Sequence, residues 1–549
     1  MSSPAVHANI AHHLADCAVL QPDVAALKIP RGRTARGDID YLTLSFRELH
    51  AEVDAWCRRL ERHGVKRGDR TLVMVKQGLP LIAGVFALFT LGAVPVVIDP
   101  GMGLKNFLNC VRHSRPRVLM GIPMARFVSR LSLRSFGTVQ VRIPVSAALT
   151  GRLTKPQSSS SSAASVRDVA SVQANDLAAI LFTSGSTGAP KGVCYEHGMF
   201  AAQVRMIRET YHIESGEIDL PLLPIFALFN PALGMTTVVP ELDPRRPAAM
   251  DPGKIVQAIQ QEKITNSFGS PTLWKKIGGY CAEHSVQLRS LRRVLCAGAP
   301  VPASLWAGAR HWMPSGELFS PYGATEALPV SSISASEIAQ VSGAGACVGH
   351  PLAANHVKII ALTDAPIASL ATTRELPRGS VGEIIVTGPS VTRTYDDAPV
   401  ATADAKIPGP SAIWHRMGDC GYLDDAGRLW FCGRRVERVE TGSSTLFTEP
   451  CEQVFRANPR AARYALIGLG PRGAQTPALV VEIRIDGEAD RIIFARALRG
   501  IALSSPATRE ICRFYFHPKF PVDVRHNAKI HRLALARWAE KQRPYIVDP

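Results

Sequence analysis

The sequence predicts an α/β fold, with a large N-terminal domain of layered β-sheets and helices followed by a small α+β C-terminal domain. Short apolar runs rich in β-branched residues alternate with longer stretches of helical period, the pattern of largely parallel sheets covered by helices. At 549 residues the chain is too long for one hydrophobic core, so at least two domains are required. Its 46% apolar and 20% charged residues describe a folded, enzyme-sized protein rather than a disordered one.

The first clear helix is Ser45 to Glu61, where Phe46, Leu49, Val53, Trp56 and Leu60 recur at steps of three and four and so share one face. Leu72 to Val75 reads as a strand. Leu81 to Val97 is the one long apolar run, but Gly84, Gly92 and Pro95 interrupt it and it falls short of the roughly 20 residues a membrane span needs. It divides into a buried helix through Phe89, a turn at Leu91-Gly92-Ala93 and a buried strand from Val94 to Ile98. Ala178 to Phe182, Val294 to Cys296, Val357 to Ala361 and Ile384 to Val386 supply further strands, and Pro252 to Glu262 a further helix. The serine run Ser158 to Ser162 reads as a flexible surface insertion.

The domain boundary falls near Arg434, giving domains 1–433 and 434–549. Beyond it, strands at Tyr464 to Leu469, Ala478 to Ile485 and Phe514 to Phe516, with a helix at Ile492 to Leu498, suffice for a compact module. Gly468, Gly470 and Gly473 satisfy the dinucleotide spacing G-x-G-x-x-G. No helix follows to receive a pyrophosphate, so the segment reads as a loop between strands.

A net charge of +17 favours anionic partners such as ATP, pyrophosphate or an acidic membrane surface. The positive residues read as scattered rather than gathered in one aromatic-interleaved stripe, and nucleic acid is not an expected partner. Eleven cysteines, from Cys17 to Cys512, include no Cys-x-x-Cys pair and no cluster at zinc spacing; they read as reduced structural thiols of a cytoplasmic protein. Met1 to Leu20 has no sustained apolar stretch, which argues against a signal peptide.

The chemistry concentrates after the strand at Ala178 to Phe182. Residues 181–193 read Leu-Phe-Thr-Ser-Gly-Ser-Thr-Gly-Ala-Pro-Lys-Gly-Val. Gly185 and Gly188 let the backbone turn tightly and gather N–H groups, Thr183, Ser184, Ser186 and Thr187 add hydroxyl donors, and Lys191 adds a point charge. Such a loop suits a polyphosphate. It lacks the Walker A spacing, and Lys191 follows a proline, which weakens a kinase or GTPase reading.

This loop resembles the phosphate-binding loop of the acyl-adenylate-forming superfamily, and further resemblances follow in family order. They are Ala297-Gly298-Ala299-Pro300, Tyr322-Gly323-Ala324-Thr325-Glu326, Gly382-Glu383-Ile384, Met417-Gly418-Asp419 with Gly433-Arg434, and Lys529 near the C-terminus. The resemblance implies the adenylate-forming enzyme fold with a mobile C-terminal domain, and ATP and Mg²⁺ as cofactors. It implies that Thr183, Ser184, Gly185, Ser186, Thr187, Gly188 and Lys191 hold the leaving phosphates. Gly298, Ala299 and Pro300 would form the adenine-side turn, with Tyr322 and Gly323 against the base. Thr325 would touch the α-phosphate, Glu326 would help place Mg²⁺, Asp419 would accept the ribose hydroxyls and Arg434 would add a ribose contact. Lys529 would bridge the α-phosphate and the substrate carboxylate.

Departures from the family pattern bear on the acceptor. Asn230-Pro231 stands where many thiol-using relatives carry histidine or an aromatic-histidine pair, Arg435 to Gly442 replaces the usual hinge sequence, and Ala528 precedes Lys529 in place of glycine. The run Phe226 to Met235, the segment Val436 to Thr441 and the terminus Arg525-His-Asn-Ala-Lys529 together resemble the β-lactone synthetases of bacterial long-chain olefin formation. That resemblance implies a long-chain 2-alkyl-3-hydroxy acid whose 3-hydroxyl displaces AMP, with assembly with other olefin-pathway enzymes and peripheral membrane contact as further expectations. An AMP-forming medium- or long-chain acyl-CoA synthetase is the alternative; a non-catalytic binding module is a third reading. His197, His350 and His526 are conceivable bases, and none is nominated.

Overall fold

The computed structural model describes residues 8–154, 167–183, 190–243, 246–522 and 529–548. The serine run 158–162 lies outside them. The chain forms two compact units, one of residues 1–330, 352–355 and 387–406, the other of 331–351, 356–386 and 407–549. Arg434 ends the strand Leu429–Arg434, inside the second unit.

The first unit shows how local signals become layers. Ser45 caps the helix Phe46–Arg62 by accepting from the Glu48 N–H, while the Glu48 carboxylate accepts from the Ser45 N–H, so two otherwise orphaned donors are satisfied. Its buried face carries Phe46, Leu49, Val53, Trp56 and Leu60, the residues whose spacing marks the stripe. The long apolar run becomes the helix Leu79–Thr90 and the strand Val94–Ile98, with Gly92 at φ +66° in the turn. Among the described residues no helix is long and apolar enough to cross a membrane.

A six-stranded sheet runs in the order Val141–Pro144, Val118–Gly121, Arg70–Met74, Val94–Ile98, Leu177–Thr183, Lys191–Glu196. It is parallel up to its last pair, which is antiparallel. A second series of parallel strands includes Arg293–Cys296 beside Asn266–Gly269 on one side and Glu317–Ala324 on the other. The strand Lys191–Glu196 runs directly into the helix His197–Tyr211. His197 is 2% exposed and packs T-shaped against Phe89, and burial pushes its imidazole down to about 4. It is a packed, neutral side chain rather than an accessible base.

The second unit departs from the parallel expectation. Gly382–Thr387, Ile413–Leu423 and Leu429–Arg434 pair antiparallel in turn. A separate four-stranded sheet takes Arg463–Leu469, Thr476–Glu482, Arg513–His517 and Tyr545–Ile546, with only its middle pair parallel. The glycine triplet 468–473 connects the first two of these strands as an antiparallel hairpin, so it presents no helix N-terminus to a ligand. Phe455, Phe494, Leu498 and Phe514 pack into this module's own core. Glu383, in the family-like Gly-Glu-Ile segment, is fully buried and bonded to Arg416 at 2.7 and 3.1 Å; Arg416 also donates to the Thr363 and Ala365 carbonyls.

Two stability predictions follow from these buried groups. Glu383→Gln leaves the Arg416 guanidinium without its counter-charge and should cost about 3–5 kcal/mol, read as a lowered urea midpoint. For His197 the folded pKa lies below the unfolded value of about 6.5, so its contribution is complete above that pH and is lost as pH falls toward 4. His197→Gln should therefore flatten the acid limb of unfolding midpoint against pH; an unchanged limb would assign the loss to other groups.

Candidate active site

The candidate residues divide between the units. In the first, the loop that resembles a phosphate cradle joins two antiparallel strands, and Thr183 and Lys191 are cross-strand partners at its mouth. Ser184, Gly185, Ser186, Thr187 and Gly188 lie outside the described residues. Gly192 is required by packing, since a Cβ there would meet the Phe182 ring at 2.7 Å. On the far side of Lys191–Glu196 a short extended segment adds itself: Val193 bridges Tyr395, the Cys194 N–H donates to Thr394, and the Asp396 N–H donates to Gly192 at 2.7 Å. The Lys191 ammonium consequently sits 5.0 Å from the centre of the Tyr395 ring.

The same segment holds the acidic motif. Thr325 and Glu326 connect the strands Glu317–Ala324 and Ala327–Ser334, and Gly323 allows the close return, because a Cβ there would lie 2.5 Å from the Ala327 carbonyl. Tyr322 lies half-buried on the first of these strands. The Tyr195 hydroxyl donates to the Thr325 carbonyl, and Thr392 donates to the Glu326 carbonyl from its N–H at 2.9 Å and its hydroxyl at 3.2 Å. Tyr395 donates its hydroxyl to Glu326 Oε1 at 2.7 Å; burial and that carboxylate push its phenol up, so it stays a donor. Gly298, at φ +97°, turns the chain after the strand Arg293–Cys296, leaving Gly298 and Pro300 exposed and Ala299 half-buried.

Lys406 is the residue sequence reading missed here. It is 4% exposed, its ammonium donates to the Thr392 carbonyl and hydroxyl, and it lies 5.8 Å from the Tyr395 ring centre. Burial pushes it down to about 7, against the opposing pull of Glu326. Its place, on no motif and between an alanine and an isoleucine, offers no signal in the sequence.

An apolar pocket in the same unit is lined by Tyr211, Phe226, Phe229, Leu233, Phe268 and Leu295. At its edge Asp219, also missed, accepts from Asn266 at 2.6 Å and from Asn230 at 2.8 Å, and burial pushes it up to about 6. Asn230 is thus committed to Asp219 and to Thr237 at 3.0 Å.

In the second unit Asp419 and Arg434 face each other across adjacent strands, Oδ1 to Nη1 at 2.7 Å, with Asp419 3% exposed. The segment after Arg434 is tied by charge. Arg438 and Arg472 hold Asp364 at about 2, and Arg435 reaches both Asp364 and Glu383. Lys529 is exposed and precedes Ile530, which bridges Val522; residues 523–528, with His526, lie outside the described residues. Arg532 binds Glu452 at 2.7 and 2.8 Å and Glu437 at 3.0 Å. His350 is exposed on the strand Ala346–Pro351.

Comparison with known proteins bears on the family and the fold. Residues 18–396 match the family described as AMP-binding enzyme. The olefin β-lactone synthetase of Xanthomonas campestris pv. campestris is 42% identical over 548 residues, covering 97% of this chain and 98% of that protein. Its namesake from Stenotrophomonas maltophilia is 43% identical with the same coverage. Among solved structures, ATP-bound MatB from Rhodopseudomonas palustris superposes with a TM-score of 0.78 at 21% identity, covering 97% of this chain and 99% of that one, and shares the fold. With a family match across more than half its length and relatives this similar end to end, the chain belongs to the AMP-binding enzyme family.

Proposed function

We propose that the chain is an AMP-forming β-lactone synthetase for a long-chain 2-alkyl-3-hydroxy acid. The observation that carries this reading is the identity of 42–43% to two olefin β-lactone synthetases over 97% of the chain, a span that takes in the Asn230-Pro231 and Arg435–Gly442 departures. The acyl-CoA ligase alternative has weaker support, with 29% identity over 81% of the chain to a feruloyl-CoA synthase from Amycolatopsis.

In this reading ATP is the activating substrate. A carboxylate oxygen of the acid attacks the α-phosphorus, the bond to the β-phosphate oxygen breaks, and pyrophosphate leaves with its electron pair. The 3-hydroxyl oxygen then attacks the acyl carbon, the bond from that carbon to the AMP oxygen breaks, and the hydroxyl proton passes to solvent. Holding hydroxyl and carbonyl in one substrate at near-attack distance offsets the strain of the four-membered ring. Thr183 to Gly188 and Lys191 would hold the leaving phosphates, Thr325 the α-phosphate, Gly298 to Pro300 with Tyr322 and Gly323 the adenine, and Asp419 with Arg434 the ribose. Lys529 would neutralise charge developing between the α-phosphate and the carboxylate.

Mg²⁺ suits Glu326. No group of three or more His, Cys, Asp or Glu able to hold a metal occurs among the described residues, and Mg²⁺ is commonly bound through one or two carboxylates plus substrate phosphates. Bound there, it would neutralise charge on the leaving phosphates. Tyr395 fixes one carboxylate oxygen and Lys406 braces Thr392, so the orientation of Glu326 is set before any ligand arrives. The apolar pocket would take an alkyl arm. A cytoplasmic location, residues 434–549 moving as the catalytic lysine's carrier, assembly with other enzymes of olefin formation and peripheral contact with a membrane complete the reading.

Purified protein given ATP, Mg²⁺ and a 2-alkyl-3-hydroxy acid should release β-lactone and AMP without coenzyme A, as followed by mass spectrometry and pyrophosphate release. Strict dependence on coenzyme A would favour the ligase alternative instead. Lys529→Ala should slow adenylation by about two orders of magnitude or more while leaving ATP binding by calorimetry nearly unchanged, the signature of a contact made in the transition state.

A further inference from the structure

Although the positive residues form no single aromatic-interleaved stripe, the charge of this chain is uneven along the sequence. Residues 100–167 hold eleven lysines and arginines and not one aspartate or glutamate, against a net charge of +17 for the whole protein. Some of these cations are engaged within the fold: Arg117 pairs with Asp69 at 2.9 Å, Arg115 with Asp397 at 2.7 Å and Arg152 with Glu48 at 3.5 Å. Arg130 and Arg134 are exposed and enter no ion pair among the described residues.

Beside them lies apolar surface that the fold does not use. On the helix Pro123–Leu131, Met124, Phe127 and Leu131 fall at steps of three and four, hence on one stripe, and are 66%, 57% and 70% exposed. Leu133, on the short helix Leu133–Phe136 that follows, is 68% exposed. Ala125 and Ser129 face the interior, so the helix is already anchored by another side. Single exposed apolar residues are ordinary, but four within ten positions of one helical corner form a patch. Arg126 and Arg130, one turn apart, flank the stripe, and Arg134 follows.

We propose that this corner docks the protein on an anionic phospholipid surface, with Met124, Phe127, Leu131 and Leu133 entering the headgroup boundary and Arg130 and Arg134 meeting lipid phosphates. A stripe of Phe, Met and Leu bordered by arginines is the composition of an interfacial helix, and the acid-free stretch around it supplies no competing internal partner for those arginines. A second copy of the same face would bring arginine against arginine, which disfavours self-association through it. The inference deepens the membrane contact proposed above yet needs none of the proposed chemistry, since binding is measured without substrate.

Flotation of the full-length protein with vesicles of equal parts phosphatidylglycerol and phosphatidylethanolamine tests it, with phosphatidylcholine vesicles for comparison. Binding should be confined to the anionic vesicles and weaken as salt is raised. Arg130→Gln with Arg134→Gln should weaken it about fivefold per charge, and Phe127→Ser with Leu131→Ser by about tenfold or more, with the thermal unfolding midpoint unchanged in both. Absence of anionic-vesicle binding, equal binding to both vesicle types, or undiminished binding by both double variants would overturn the proposal. So would sedimentation showing a dimer that Phe127→Ser with Leu131→Ser dissolves, which would assign the face to a second copy. Lactone formation by a protein that ignores vesicles would sink this inference while leaving the proposed chemistry intact.

Discussion

The candidate residues of the first unit depend on one hairpin register. Thr183 pairs with Lys191, so the glycine-rich loop leaves and re-enters the sheet at adjacent points, and its lysine stands at the edge strand. An edge strand has unused N–H and C=O groups, and here residues 394–396 satisfy two of them, the Cys194 N–H and the Gly192 carbonyl. That added pairing brings Tyr395 under Lys191 and carries its hydroxyl to Glu326. A one-residue slip would turn every side chain of Lys191–Glu196 to the other face and separate the lysine from the tyrosine.

Lys406 shows what that arrangement costs and what it gains. A buried ammonium is unfavourable unless its protons find acceptors, and Thr392 provides two. Because Thr392 itself donates twice to the Glu326 backbone, the lysine stiffens the acidic turn without occupying its carboxylate. The side chain of Glu326 is left with one oxygen fixed by Tyr395, a degree of preorganisation suited to a ligand whose charge is large and whose geometry is demanding.

The elements with strong local signals were legible in the sequence. The apolar stripe of the helix Phe46–Arg62 and the split of the run Leu81 to Val97 each follow from residues within a few positions of one another. The glycine-rich triplet at 468–473 was correctly dismissed for the same reason, as its context was local. Lys406 and Asp219 were not legible, because their meaning comes from burial and from partners such as Glu326 and Asn266 that only the tertiary fold supplies. The antiparallel pairing of Gly382–Thr387 with Ile413–Leu423 was also missed. A short apolar strand buried on both faces has the same composition whichever way its neighbour runs, as in Gly382–Thr387, whose six residues are all buried.

The segment after Arg434 is organised by charge. Arg435 and Arg438 converge on Asp364, joined by Arg472, while Arg532 is shared between Glu437 and Glu452. Glu452 is 1% exposed and also accepts from the Leu466 N–H at 3.0 Å, so the carboxylate that receives Arg532 is itself fixed to the module's sheet. Removing Arg532 would strand the buried Glu452 carboxylate, whereas the Asp364 cluster is half open to solvent and less sensitive to loss of one member. Arg532 lies three residues beyond Lys529. The exposed lysine is therefore followed, three residues on, by a side chain bonded to two carboxylates of the second unit, and the helix Arg532–Ala539 starts from that fixed point.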